Sequence, residues 1–220
     1  MADLEVRRAK ALARQRRYDA RFAKETAEVP GHFAHGVNFY KLCWVFFICC
    51  FLGVVIETIF CFIASGRLSR RTGLVWGPFN LIYGFGAVLL TVSLQRLRGK
   101  NDRYIFVGGA VIGGAFEYFC SWLQETVTGT VSWDYSGMPF NLNGRINLLY
   151  CFFWGIAAVV WLKLAYPALS RLIERLPMQT GKLLTWGMIV FMVLNAGISS
   201  LAAAISMPGT ILSQEPSSTS

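Results

Sequence analysis

Five long apolar stretches constrain the fold of this chain more than any other feature of its sequence. They cover Leu42–Ser65, Trp76–Gln95, Tyr104–Leu123, Ile146–Tyr166 and Leu183–Met207. A hydrocarbon core of about 30 Å needs roughly 20 apolar residues per helix, and only helices or closed barrels satisfy their backbone polar groups in lipid. The sequence lacks the alternating pattern of barrel strands. We therefore expect an all-α, polytopic transmembrane helical bundle of about five spans.

The composition supports solvation by lipid and argues against several other classes of protein. Hydrophobic residues make up 55% of the chain and charged residues only 15%, whereas soluble domains carry about 25% charged residues. The 21 basic residues lie between the apolar blocks rather than on one face, so no nucleic acid partner is expected. All six cysteines fall inside the spans without a C-x-x-C pair, which is typical of packing residues. We expect no metal and no cofactor.

The distribution of basic residues predicts the orientation in the membrane. Seventeen of the 21 lie in the N-terminal leader, around the second connection, at Lys163 or in the fourth connection. By the positive-inside rule these regions are cytoplasmic, which places the N-terminus inside and the C-terminus outside a bacterial inner membrane. The four exceptions on the outer side are Arg67, Arg70, Arg71 and Arg145.

The same pattern divides the chain into regions. The leader is Ala- and Arg-rich, and we expect a helix over Ala2–Glu28 that lies on the membrane surface or binds a cytoplasmic partner. The expected regions are a basic cytoplasmic juxtamembrane leader (1–41), a duplicated four-span core (42–166), a cytoplasmic connection (167–182), a fifth span (183–207) and a flexible tail (208–220).

The core contains an internal repeat, with copies at about 42–95 and 104–166. Phe51–Glu57 aligns with Val111–Glu117, and each segment contains G-x-x-x-E. The four residues Pro78–Leu81 recur as Pro139–Leu142. Because each unit holds two spans, this is a parallel repeat whose copies are related by an axis along the membrane normal. The two prolines are placed like first-turn residues of the helices that follow.

Glu57 and Glu117 are the most informative residues, because a charge at the bilayer centre costs at least about 2.5–3.5 kcal/mol. Gly53 and Gly113 lie one turn earlier, so both glutamates should face other helices rather than lipid. Two interpretations remain open. The glutamates form ion bridges that fix helix registry, or they form a central substrate, ion or proton site.

The arginines on the outer side are the expected partners of these glutamates, as bidentate pairs. One hypothesis pairs Glu57 with Arg145, and Glu117 with Arg67 or its neighbours. Helix N-termini and arginines at the same level favour an anionic or acid-bearing ligand. The candidate site comprises Glu57, Glu117, Arg145, Arg67, Arg70, Arg71, Asn80, Asn141, Asp134 and Tyr135.

Two sets of motifs resemble the CmpB-type ABC-transporter (permease) family of bacterial integral membrane proteins. The first set is Gly53-x-x-x-Glu57, Gly66-Arg67, Gly77-Pro78 and Ile82–Gly86. The second set is Glu117-Tyr118-x-x-Ser121, Trp133–Ser136, Pro139–Asn141 with Gly144-Arg145, and Phe153–Gly155. The resemblance covers about residues 40–170, without the leader or the fifth span. Asn80 departs from it, since many members have a second proline there. The resemblance implies a permease and no catalytic residue.

These observations predict a bacterial inner-membrane permease-like or substrate-binding membrane subunit. Its partners would be the lipid bilayer and a cytoplasmic ATPase or another membrane subunit, within a homo- or hetero-oligomer. No phosphate-binding loop, zinc-protease or serine-hydrolase motif is present in the sequence, so we do not expect an enzyme. The alternative is a non-transporting scaffold or regulatory subunit in which the Glu–Arg network is structural.

Overall fold

A computed structural model describes residues 2–26, 33–66 and 73–206 of the chain. Arg67, Arg70 and Arg71 of the candidate site, and the tail at 208–220, lie outside the described residues. The leader forms the predicted helix, α1 (Ala2–Thr26), in which Arg7 pairs with Asp3 one turn earlier at 3.0 Å.

The rest of the described chain is an all-α bundle, as the sequence predicts. Its helices are α2 (Phe39–Ser65), α3 (Leu81–Leu94), α4 (Asp102–Thr128), α5 (Leu148–Val160), α6 (Tyr166–Ile173) and α7 (Met178–Ser206). Two-residue strands, β1 (Asn141–Leu142) and β2 (Ile146–Asn147), pair antiparallel just before α5.

Four helical stretches among the described residues are long and apolar enough to cross a membrane. They are Phe39–Ile63, Asp102–Thr128, Leu148–Ile173 and Met178–Ala202. The predicted span at Trp76–Gln95 corresponds to a shorter apolar helix at Leu81–Leu97, where a 3₁₀ turn extends α3. The prediction placed its start five residues too early, because Asn80 caps the helix and the residues before it form a loop.

The continuous helix formed by α5 and α6 contains one wider turn. α5 and α6 are joined without a break by a π-helical turn over Trp161–Ala165. Pro167 follows this turn in the first turn of α6. Proline has no backbone N–H and its ring clashes with the preceding turn, so an adjacent widened turn accommodates it.

The helices pack as two hairpins. α2 packs against α3 and α4 against α5, so each repeat copy forms its own hairpin, while α3 contacts α4 and α7 contacts α2. We call the end of the bundle that carries Gly66, residues 73–80 and residues 129–147 the loop end. The opposite end, which carries Lys41, Asp102 and Glu174, is the leader end.

The helix caps revise the alignment of the two copies. Asn80 caps α3 by accepting from the backbone N–H of Ile82, and Asn147 caps α5 by accepting from Leu149 and Tyr150. Asn141, which the sequence repeat aligned with Asn80, lies in β1, six residues before the cap. Asn80 and Asn147 are therefore the structurally equivalent residues. The connection that precedes the cap is longer in the second copy than in the first.

The same caps correct the expectation about the prolines. Pro78 lies two residues before the N-cap of α3, and Pro139 lies eight residues before the N-cap of α5. Neither is a first-turn residue. An asparagine side chain satisfies the free N–H groups at each helix start instead.

Polar contacts fix the two ends of the bundle. At the leader end, Lys41 of α2 is 0% exposed and its ammonium donates to Glu174 at 2.5 Å, while Lys163 pairs with Asp102 at 2.7 Å. At the loop end, Asn195 of α7 bonds both the backbone N–H and the carbonyl of Trp76. The fifth span therefore holds the first loop in place.

Candidate functional site

The first half of the molecule binds its glutamate with a tyrosine. The hydroxyl of Tyr83 on α3 donates to Oε2 of Glu57 on α2 at 2.5 Å. Gly53, one turn before Glu57, makes room for this ring, since a Cβ there would lie 2.1 Å from Cγ of Tyr83. The G-x-x-x-E motif therefore has a physical meaning, because the glycine admits the aromatic ring whose polar tip reaches the glutamate.

The second half repeats this arrangement with a tryptophan. The indole N–H of Trp154 on α5 donates to Oε2 of Glu117 on α4 at 2.7 Å. A Cβ on Gly113 would lie 2.4 Å from Cγ and Cδ2 of that ring. Trp154 lies one turn after Tyr150, which occupies the position that Tyr83 has in the first half. The donor has therefore moved by one turn along the helix.

The second carboxylate has an additional donor from the loop. The hydroxyl of Tyr135 donates to Oε1 of Glu117 at 2.9 Å, and its ring stacks on Tyr150 with centroids 4.5 Å apart. Burial, together with the hydrogen bond to Glu117, raises the pKa of Tyr135 well above its ordinary value. Tyr135 therefore stays protonated and remains a donor to the carboxylate.

The loop that supplies Tyr135 is held by its own hydrogen bonds. Asp134 Oδ1 accepts from the backbone N–H and hydroxyl of Ser136, and both bonds lower the pKa of the exposed Asp134 carboxyl. Asn141 donates to the carbonyl of Met138 and accepts from Gly144 N–H. Asp134 and Asn141 thus shape the loop, and Tyr135 is the residue that reaches the buried carboxylate.

Arg145 does not meet either span glutamate, so the predicted pairing with Glu57 is wrong. Its guanidinium forms an ion pair with Glu125 on α4, and its Cζ lies 5.8 Å from the ring centroid of Tyr118. The indole N–H of Trp133 donates to its carbonyl at 3.0 Å. The hairpin of β1 and β2 turns the chain so that Arg145 faces the last turns of α4 instead.

Glu117 forms no ion pair with any residue that the structure describes. Its hydrogen-bond partners there are the neutral donors Tyr135 and Trp154. The hypothesis that Arg67 or its neighbours bind Glu117 stays a prediction, since those arginines lie outside the described residues. Among the described residues, Tyr83 binds Glu57 in the first half, and Tyr135 and Trp154 bind Glu117 in the second.

One face of α4 carries a run of polar side chains. Glu117, Ser121 and Glu125 follow at intervals of four residues and so share a helix face. Gly109 and Gly113 continue the same face toward the leader end, where α5 packs closely. The polar run therefore extends from the loop end to the half-buried Glu117.

The structure brings two of the predicted site residues into contact and gives others a role in caps and loops. It brings Tyr135 to Glu117, while Asn80 caps α3 and Asp134 and Asn141 stabilise a loop. Sequence reasoning missed five contributors: Tyr83, Tyr118, Ser121, Glu125 and Trp154. The four-residue spacing that links Ser121 and Glu125 to Glu117 was the signal that could have found two of them.

Long apolar helices, a duplicated helix hairpin and a carboxylate in each half define a multi-pass membrane protein of the lipid bilayer. The family model described as "Putative ABC-transporter type IV" matches residues 44–200. The chain belongs to this family. The match extends into α7, so the expectation that the resemblance stops before the fifth span is wrong. Comparison with curated proteins and with solved structures returned no match.

Proposed function

We propose that this chain is a permease-like, substrate-binding membrane subunit of a transport system, with its polar site centred on Glu117. The family supports a transporter-like membrane protein. The observation that carries the proposal is the carboxylate of Glu117, which lies within a span and has two neutral donors and, among the described residues, no cationic partner.

Such a carboxylate has a specific chemical capacity. An acid inside a membrane span is stabilised by a bound proton or by a cation. Trp154 and Tyr135 orient its two oxygens, so the group is positioned before any ligand arrives. The proposed ligand is therefore a proton or the cationic group of a substrate. This differs from the acid-bearing ligand that the arginines favoured in the sequence.

Glu57 serves a different purpose in this proposal. Tyr83 binds it inside the first hairpin, whose loop is tied to α7 through Asn195. The first half would therefore form the rigid wall of the site. The second half, with its longer loop, would carry the ligand.

Orientation and partners follow from charge. The positive-inside rule places the leader end in the cytoplasm of a bacterial cell and the loop end outside. Exposed basic side chains at the leader end offer a surface to an acidic partner, such as an ATPase on a separate chain. They are Arg96, Arg103, Arg171, Arg175 and Lys182. In this proposal the chain itself has no catalytic activity.

The test uses the full chain in proteoliposomes on a solid-supported membrane, where binding of a cation displaces measurable charge. Methylguanidinium serves as the probe. We expect a saturable charge movement that Glu117→Gln removes and the matched Glu57→Gln retains. Persistence of the signal in folded Glu117→Gln, or its absence from the unsubstituted chain, would contradict the proposal.

A scaffold role is the second candidate, and the hydrogen bonds themselves favour it. Both glutamates already have donors within their own hairpins. If the bonds only hold helices together, Glu57→Gln and Glu117→Gln should lower thermal stability equally and neither should alter a ligand response. Loss of the response with Glu117→Gln alone excludes this role.

A further inference from the structure

The guanidinium of Arg145 occupies an arrangement on α4 that suits cations in general. Glu125 supplies a carboxylate and Tyr118 an aromatic face, with Cζ of Arg145 5.8 Å from the ring centroid. Tyr118 and Glu125 are seven residues apart, which is two helical turns on one face. A carboxylate beside an aromatic face binds ammonium and guanidinium groups by ion pairing and cation–π attraction.

Two buried polar atoms near this arrangement are unsatisfied. The hydroxyl of Ser121 is on a side chain that is 1% exposed, and Nη1 of Arg145 is also buried. Neither has a hydrogen-bond partner among the described residues. Ser121 lies three residues after Tyr118 and four before Glu125, so it shares their helix face. The Arg145 side chain therefore leaves hydrogen bonds of this arrangement unmade, and unmade buried hydrogen bonds cost free energy.

We propose that Tyr118, Ser121 and Glu125 form an entry site for a small organic cation, and that Arg145 is a tethered occupant which the ligand displaces. The ligand class is a guanidinium or primary ammonium compound. Its N–H groups would bond Glu125 and the hydroxyl oxygen of Ser121, while its charge would lie against Tyr118. An anion is disfavoured, because Arg145 is already paired and Glu117 lies one turn beyond Ser121 on the same face.

The surroundings allow the exchange. Glu125 is 48% exposed at its side chain, whereas Arg145 is 20% exposed, so the carboxylate is open to an arriving cation. The backbone of Arg145 is fixed by hydrogen bonds to Leu142 and Trp133. The side chain can therefore leave while the loop keeps its shape.

This inference deepens the proposed function by naming a substrate class and the route by which it reaches Glu117. It rests on that proposal only for what happens after entry. Binding at Tyr118 and Glu125 can be measured independently, because Glu117→Gln leaves these groups unchanged.

The test is calorimetric titration of methylguanidinium into the full chain in phosphatidylcholine nanodiscs. In the Glu117→Gln background, where the carboxylate deeper in the span no longer binds the probe, we expect saturable binding that Glu125→Gln abolishes. Arg145→Gln should tighten it roughly tenfold or more, because a tethered competitor acts at a millimolar effective concentration. Lys100→Gln, which removes an exposed positive charge between α3 and α4, is the control and should change nothing.

Several outcomes would overturn the entry site. They are no saturable binding by the unsubstituted chain, binding that survives Glu125→Gln in the Glu117→Gln background, equal competition by Na⁺, or no tightening in a folded Arg145→Gln. If Arg145→Gln does not fold, Arg145→Lys, which stays charged but loses the planar fork, must tighten binding instead. Binding retained in Glu117→Gln but without charge movement in proteoliposomes supports the entry site. If the unsubstituted chain also binds the probe without charge movement, the proposed function is contradicted and the entry site is not.

Discussion

The two halves of the bundle share a scaffold and differ in what they bring to it. In each, a glycine admits an aromatic ring whose polar tip reaches a glutamate one turn later, by Tyr83 in the first half and Trp154 in the second. Among the described side chains, the second half also has Tyr135 from a self-bonded loop, and its polar face continues to Ser121 and Glu125.

This difference separates stability from function. The shared glycine and aromatic donor solve the problem that any buried carboxylate poses, which is to satisfy its oxygens away from water. The additional loop and polar face are not needed for that purpose. In the proposed function, ligand binding therefore falls to the second half and a supporting role to the first.

The largest expected effect comes from substituting the glycine that admits the aromatic ring in each half. Gly53→Ala places a Cβ 2.1 Å from a ring carbon of Tyr83, and Gly113→Ala places one 2.4 Å from ring carbons of Trp154. Since these rings are held by close helix packing, each change should destabilise the protein by about 3 kcal/mol. Thermal unfolding of the reconstituted chain measures this.

The control for that pair is Gly187→Ala in α7, where no atom lies within 4 Å of an added Cβ. It should be neutral or slightly stabilising, because alanine is the better helix former. Tolerance of alanine at Gly113 but not at Gly53 would mean that the halves do not share a scaffold.

A smaller effect is expected where the halves join at the leader end. Lys41 of the first half donates to Ser170 and Glu174, which follow the second hairpin. Lys41→Met should cost about 2 kcal/mol, less than for a fully buried pair because Glu174 is partly exposed. The double variant Lys41→Met/Glu174→Gln should recover part of the loss in thermal unfolding, and no recovery would show that the two residues act independently.

The same ion pair predicts a dependence on pH. Burial acts to raise the pKa of Glu174, but the Lys41 ammonium and the Ser170 hydroxyl outweigh it and hold the pKa below its ordinary value. The stabilisation is therefore present above the unfolded-state pKa, near 4.3, and is lost as pH falls through the lower folded-state pKa. Acid unfolding followed by circular dichroism should lose this contribution in Glu174→Gln.

The smallest expected effect tests which asparagines of the two repeat copies are structurally equivalent. Asn80 and Asn147 cap equivalent helices, so Asn80→Ala and Asn147→Ala should each cost about 1 kcal/mol. Asn141→Ala removes loop bonds instead and should change the flexibility of the loop, as measured by hydrogen exchange, without fraying α5. Fraying of α5 by Asn141→Ala would restore the alignment based on the repeated Pro-Phe-Asn-Leu.

The sequence was sufficient for the all-α bundle and for four of the five predicted spans, because apolar length has strong physical consequences. It failed for Arg145, since a six-residue insertion and a short hairpin decide where that side chain points. It also left Tyr83 and Trp154 out of the candidate site, because an aromatic residue in an apolar span has the same sequence pattern whether its side chain faces lipid or a carboxylate.

The central claim is that Glu117, and not Glu57, is the acid that responds to ligand. Infrared difference spectroscopy of the full chain in nanodiscs tests it directly by recording carboxyl bands before and after methylguanidinium is added. We expect two difference bands: one from Glu117, which disappears in Glu117→Gln and remains in Glu57→Gln, and one from Glu125, which disappears in Glu125→Gln. A spectrum that is unchanged in folded Glu117→Gln, or loss of the first band in Glu57→Gln, would contradict the account.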